Sequence, residues 1–270
     1  MRNKDYLIVG HFAKDLKKHG SSLGGSPFYS GAIAKKLGWR VKVLTSFGPD
    51  LDIKDKKELK DFDICCVPSS LSTTFQNVYK KGKRIQFLYQ ISSLLSPKNL
   101  PKSWQKTSIV QLAPIAQEVK ENMIYSFKRS LIGATLQGWL RKQNENKEVS
   151  FSMWRNYKKF LPKINVAFLS REDIKNDMNL FKKLAKFSNI LVLTEGENGA
   201  TVFHQGEIKH FTVKKVKEAD PTGAGDVFAA AYLIKFYKTK NPWQAAEFAN
   251  SVASSSLKDI SLNEESKKRS

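Results

Sequence analysis

Three observations in this sequence predict an α/β fold: a mainly parallel central sheet flanked by helices. Short apolar runs alternate with helical stretches, starting with strand, loop, helix and strand over residues 6–47. That order suits a parallel sheet with crossover helices. Ile190–Thr194 is apolar almost throughout, as a buried strand should be. A loop with two close glycines, residues 219–226, runs directly into a long apolar helix.

Residues 6–10 read as a buried first strand ending at Gly10. A polar stretch with His11, Asp15 and His19 follows; both histidines read as surface or pocket-rim residues, with nothing to pair them as metal ligands. Pro27 suits the first turn of a helix over 28–37, and Gly38 stops it. Residues 40–47 are a strand, 50–60 a charged surface helix, and 62–67 a strand closed by Pro68. The segments 73–79 and 84–91 alternate in polarity around Lys80-Lys81-Gly82-Lys83, which predicts a β-hairpin.

Residues 107–113 form a strand before Pro114, 115–127 read as helical, and 131–136 as a strand. Open α/β sheets bind ligands at the ends of their parallel strands. Gln137 and Arg141, just past that strand, are therefore candidates for substrate or phosphate contact, with Arg141 equally suited to a surface ion pair. After a polar turn at 143–148 come a strand at 166–170 and a short helix opened by Ser170-Arg171-Glu172-Asp173, with Ser170 as its cap. Strands at 190–194, 201–204 and 208–213 are separated by glycine turns. Residues 243–257 read as a helix with Asn250 and Ala253 on a small-residue face. Residues 261–270 read as a polar tail, leaving a single domain over 1–260.

The chain has 270 residues, 46 Lys+Arg against 25 Asp+Glu, and a net charge of +21. Its lysines are spread along the whole length with no zinc-ligand pattern, RNA-binding aromatic motif or basic arm. This predicts a solvated surface that attracts anionic small molecules, not a specific nucleic-acid partner. Two adjacent cysteines, Cys65 and Cys66, point to opposite faces of a strand and read as unbridged thiols in a reducing cytoplasm. The apolar run near the N-terminus is too short for a signal peptide or a membrane span.

The chemistry centres on Ala219-Asp220-Pro221-Thr222-Gly223-Ala224-Gly225-Asp226. Amides at a helix start lack internal partners and carry the positive end of the helix dipole. Glycine lets that backbone approach a ligand closely. Gly223, Ala224 and Gly225 thus form an anion cradle suited to phosphate. A carboxylate at its edge, Asp226, repels an anion. It has a use there if it takes a proton from a hydroxyl that then attacks phosphorus. Taken alone, these four residues are equally a turn with an acid favoured at a helix N-terminus. No P-loop string and no protein-kinase motif set occurs.

The longer string 220–226 resembles the C-terminal signature of the ribokinase-like (PfkB) carbohydrate kinases. Gly24-Gly25 before a helix, followed by Leu37-Gly38, resembles their N-terminal signature. Matching features recur in family order across nearly the whole chain. Ala113-Pro114, Gln137-Gly138 and Arg141 look most like the inositol-kinase-like and uncharacterised sugar-kinase branch. The resemblance implies a ribokinase-like three-layer fold with a small β lid from about 11–24 and 72–92. It implies Asp226 as catalytic base and the amides of Gly223, Ala224 and Gly225 as anion hole. Gly24 and Gly25 would act as a hinge touching the sugar, Asp15 would bind its hydroxyls, and Arg84 would re-enter the site from the lid. Thr194, Gly196, Gly199, Thr222 and Asn250 would line the nucleotide. Asp173 and Glu172 stand where the family carries an Asn-x-x-Glu motif that orders Mg²⁺.

The chain departs from the family at Ser170 and Asp173 in that motif, and at Tyr29, where many members have Asn. The implied reaction is transfer of the ATP γ-phosphoryl group to a hydroxyl of a sugar, polyol or nucleoside, with Mg²⁺, in a cytoplasmic monomer or homodimer. A kinase of a phosphorylated or vitamin-like alcohol, and a nucleotide- or sugar-binding regulator without turnover, are the rival readings.

Overall fold

The computed structural model describes residues 4–53, 56–80, 83–213 and 222–268. Residues 219–221 of the glycine loop and the hairpin turn at 81–82 lie outside the described residues. In chain order the strands and helices are β1 (Asp5–Val9), β2 (Ala13–Leu16), β3 (Ser21–Gly24), α1 (Ser26–Lys36), β4 (Arg40–Phe47), β5 (Asp63–Pro68), β6 (Thr73–Lys80), β7 (Lys83–Gln90), β8 (Ile109–Leu112), β9 (Leu131–Thr135), β10 (Arg141–Gln143), β11 (Val149–Phe151), α2 (Tyr157–Phe160), β12 (Val166–Ser170), α3 (Met178–Ala185), β13 (Ile190–Thr194), β14 (Ala200–His204), β15 (Glu207–Phe211), α4 (Ala224–Thr239) and α5 (Pro242–Lys268).

A nine-stranded sheet runs in the order β15-β14-β13-β12-β9-β8-β1-β4-β5. It is parallel except at β14 and β15, which turn back antiparallel. Every residue of β1 is buried. Tyr6 and Ile8 enter the core on one face, and Leu7 and Val9 enter the core on the other, because side chains alternate along a strand. The first core is roofed by α1, α4 and α5. The second is closed by irregular segments, 3₁₀ turns, α2 and α3. Gly133 lets α4 lie close on β9, since a Cβ there would come within 2.5 Å of Leu233.

A second sheet, β3-β2-β6-β7, stands over the ends of the central strands. The β10–β11 ribbon continues it, with the Leu88 amide donating to the Lys147 carbonyl at 2.9 Å. Ala13, Phe75, Leu88, Ile115 and Ala116 form a small core beneath it.

Four expectations fail for physical reasons. Residues 115–127 are not a helix: the buried Glu118 carboxylate accepts the Ile115 and Ala116 amides, and Gln117 has φ 61°. Only a 3₁₀ turn at Glu121–Ser126 remains. In the 50–60 stretch only a 3₁₀ turn, Lys57–Leu59, is helical among the described residues. Ser170 to Asp173 form a turn, and Asp177 caps the helix that follows by accepting the amides of Asn179 and Leu180. α5 continues through Lys268, so residues 261–268 prolong the helix. Cys65 and Cys66 are free thiols on the edge strand β5. No helix among the described residues is long and apolar enough to cross a membrane.

Candidate active site

Strand order reverses about β1, which lies between β4 on one side and β8 on the other. Crevices at such reversals, beyond the C-terminal strand ends, are where open α/β sheets bind ligands. The root of the lid lies here. Gly25, with φ 90°, is the N-cap of α1, and a Cβ on it would strike the His11 carbonyl at 2.4 Å. A Cβ on Gly24 would fall 2.1 Å from the Asp15 carboxylate. The structure therefore brings Asp15, Gly24 and Gly25 together, with a carboxylate able to accept from vicinal hydroxyls. Gly24→Ala should displace that carboxylate without unfolding the lid, since only the end of a side chain must move. The expected result is a fall in acceptor kcat/KM of about 10- to 100-fold at unchanged thermal midpoint, read by steady-state kinetics and a melt.

The mouth of α4 forms the opposite wall. Gly223 is its left-handed N-cap (φ 80°), a conformation glycine adopts without strain, and the Val227 amide makes the first helical bond back to its carbonyl at 2.9 Å. The amides of Ala224, Gly225 and Asp226 are thus among those with no partner inside the helix. Asp226 is half-buried in the first turn. Burial pushes its carboxyl up to about 6 and the nearby Asp173 charge adds to this, while a hydrogen bond from Ser26 and the Arg141 charge oppose it. A carboxyl held there is matched to taking a proton near neutral pH.

Between the walls lies a charged group that links body and lid. Arg141 is largely buried, donating to Gln86 Oε1 of β7 at 2.7 Å and to the Gln137 carbonyl at 3.3 Å. Its guanidinium stands 4.0 Å from Asp173 Oδ1. Desolvation lowers its pKa to about 10, outweighing the pull of Asp173. Arg84 of β7 donates to Glu172 at 2.6 Å. Asp173 Oδ2 accepts the amide and hydroxyl of Ser170, at 2.7 and 2.8 Å. Asp173 and Glu172 are hard oxygen donors of the kind Mg²⁺ takes, directly or through water, in company with phosphates. Among the described residues no group of three or more His, Cys, Asp or Glu gathers as a metal cage. A cavity of about 230 Å³ opens beside Arg141, between Leu88 of the lid and Val149 of the ribbon; Asp226 is not in its lining.

Of the residues expected to line a nucleotide, Gly199 and Asn250 meet at the Phe211 carbonyl. Thr194 ends β13, Gly196 opens the turn Gly196–Asn198, and Gly199 (φ 94°) packs on the Phe211 carbonyl. Thr222 is exposed just before α4. Asn250 is buried, and its amide donates to the same Phe211 carbonyl at 2.9 Å.

His11 departs from the surface or pocket-rim position expected of it. It is fully buried, and desolvation pushes its pKa down. Nε2 pairs with the Ser93 carbonyl at 3.0 Å and Nδ1 with the Thr73 hydroxyl at 2.7 Å. A neutral ring satisfies both if Nε2 carries the proton. The residues that sequence reasoning missed are Ser26 and Ser30, which hold Asp226 from α1. Serine at a helix start reads as a cap, so neither position stood out.

Residues 138–269 match the model of the pfkB family carbohydrate kinases. Fructokinase-2 of Zea mays is 30% identical over 95 residues, a stretch spanning 32% of this chain and 28% of that protein's length. A pyrophosphate-dependent kinase of the ribokinase family, complexed with a pyrophosphate analog and myo-inositol, superposes with a TM-score of 0.81 at 21% identity, covering 94% of this chain and 95% of the other. Ribokinase from Thermotoga maritima gives 0.68 at 16% identity, covering 93% and 92%. The chain therefore carries a ribokinase-like α/β fold over nearly its full length, and its residues 138–269 match the pfkB family carbohydrate kinases.

Proposed function

We propose that the protein is a carbohydrate kinase that transfers the γ-phosphoryl group of ATP to a hydroxyl of a sugar, an inositol-like polyol or a nucleoside. The observation that carries this is Asp226, a carboxyl raised to about 6 at the mouth of a helix with unpartnered amides, across from Asp15 and the Gly24-Gly25 root. Asp226 takes the proton of the acceptor hydroxyl, whose oxygen attacks the terminal phosphorus as the bond to the leaving phosphate breaks. The amides of Gly223, Ala224 and Gly225 stabilise the charge that develops. Asp15, Arg84, Gln137 and Arg141 hold the acceptor and the transferring group. Thr194, Gly196, Gly199 and Thr222 border the donor. Asp173 and Glu172 would hold Mg²⁺, which neutralises phosphate charge when bound. The reading includes a single domain working as a monomer or homodimer in the cytoplasm.

A second reading concerns the donor. Asn250, the residue expected against the base, is buried and bound to backbone. Beside it Trp243 stacks on Phe211 with ring centroids 6.2 Å apart, and Lys209 caps the indole at 4.3 Å. An Asn250 tied to backbone suits a donor without a base, and pyrophosphate is the donor of the first structural relative described above. One experiment tests both readings: product formation with inositols, common sugars and nucleosides, each with ATP and with pyrophosphate. Transfer from ATP supports the first reading, and transfer from pyrophosphate alone supports the second. Ligand binding with no transfer, by a folded protein, would instead favour the regulator.

A further inference from the structure

The first turn of α1 touches the catalytic turn at three points, none of them expected from the sequence. The Ser26 hydroxyl pulls the pKa of the Asp226 carboxyl down, against burial. Ser30 Oγ donates to the Asp226 backbone carbonyl at 3.0 Å. The Tyr29 ring lies flat over Gly223: a Cβ on that glycine would meet Tyr29 Cγ and Cδ1 at 2.3 Å. Phe28 packs edge-on against Tyr29, with centroids 5.1 Å apart. Three residues on one face at the start of the helix thus bear on the carboxyl, the carbonyl and the left-handed glycine of a segment about two hundred positions away in sequence.

The same turn begins at Gly25, which rests on the His11 carbonyl at the root of the lid, one residue from the Gly24 that touches Asp15. We infer that this turn is a positioning clamp: Ser26, Tyr29 and Ser30 aim the Asp226 carboxylate and set the Gly223 amide plane, so that seating an acceptor against Gly24-Gly25 and orienting the base are one mechanical event. This rests on the kinase reading above. Its consequence is economy of donor. A base aimed at the acceptor hydroxyl leaves water a poor nucleophile at the site. Loosening the clamp should therefore uncouple donor hydrolysis from acceptor phosphorylation.

The test measures transfer and acceptor-independent donor hydrolysis side by side in Ser26→Ala, Ser26→Thr, Tyr29→Leu and the wild type, with thermal midpoints. Ser26→Ala should lower the kcat of transfer about 10- to 100-fold, the scale of a misplaced reacting group, with acceptor KM within twofold. Ser26→Thr, which restores the hydroxyl, should recover most of that loss. Tyr29→Leu should raise the ratio of hydrolysis to transfer severalfold. A structural role alone would move the midpoint and leave kcat, the threonine rescue and the ratio unchanged; that outcome overturns the clamp while leaving the kinase intact. A wild type with no transfer from either donor overturns the kinase reading first and the clamp with it.

Discussion

Asp226→Asn should abolish most turnover and make the protein more stable. The activity loss follows from removing a proton acceptor, a change that typically costs about 10²- to 10⁴-fold. The stability gain follows from the carboxyl's raised pKa. Its value rises from 3.8 to about 6, with burial the leading cause and Asp173 adding to it. The folded state therefore binds this proton more tightly than the unfolded chain does. Stability from that group is full below pH 4 and falls as pH rises towards 6. At pH 7 the ionised carboxylate works against the fold by on the order of 1–3 kcal/mol, and a neutral amide of the same shape relieves that. Steady-state kinetics and denaturant melts at pH 5 and pH 7 check both halves. The variant's advantage should be larger at pH 7, and the wild-type rate should fall on the acid side near pH 6. A variant that keeps full turnover would remove Asp226 from the chemistry.

The strands were legible because burial on both faces leaves a plain record. β4, β12 and β13 lie where their apolar runs end. The segment 115–127 was misread because Ile115, Val119, Met123 and Ile124 are buried at helix-like intervals. What breaks that helix is a contact no periodicity records: a buried Glu118 side chain taking the amides that would have opened it. Ser170 and Asp173 mislead in the opposite way. They bond reciprocally as a helix start would, with the Asp173 amide also donating to Ser170 Oγ at 3.2 Å. Lys175 and Asn176 then adopt positive φ, and the chain turns before Asp177 begins the helix. In the site, the glycine strings were visible because Gly25 and Gly199 mark close backbone approaches and Gly223 a left-handed turn. The hold of α1 on Asp226 was not, because it depends on which residues meet across a gap of 196 positions.

Arg141→Met should reduce kcat/KM by about 10²- to 10³-fold, the usual cost of deleting one donor aimed at developing charge, and should lower stability as well, because it strands the Asp173 carboxylate. Two effects compete at this residue. Its pairing with Asp173 at 4.0 Å favours the guanidinium, and desolvation disfavours it. The net result is a pKa lowered to about 10, so desolvation wins. Replacing both partners of such a pair often costs little, but removing Arg141 alone leaves the buried Asp173 carboxylate without its cation and Gln86 Oε1 without its donor. The position makes sense through what it faces. Arg141 ties the lid to the body through Gln86, stands beside Asp173, and holds the Asp226 proton less tightly than burial alone would. Removing it should also move the acid limb of the rate profile to higher pH, because one of the groups opposing protonation of Asp226 is gone. Arg141→Lys keeps the charge and loses the planar fork, so it should recover the pH profile more fully than the rate. A large drop in melting midpoint with kcat/KM preserved would instead make Arg141 a structural tie between ribbon and lid.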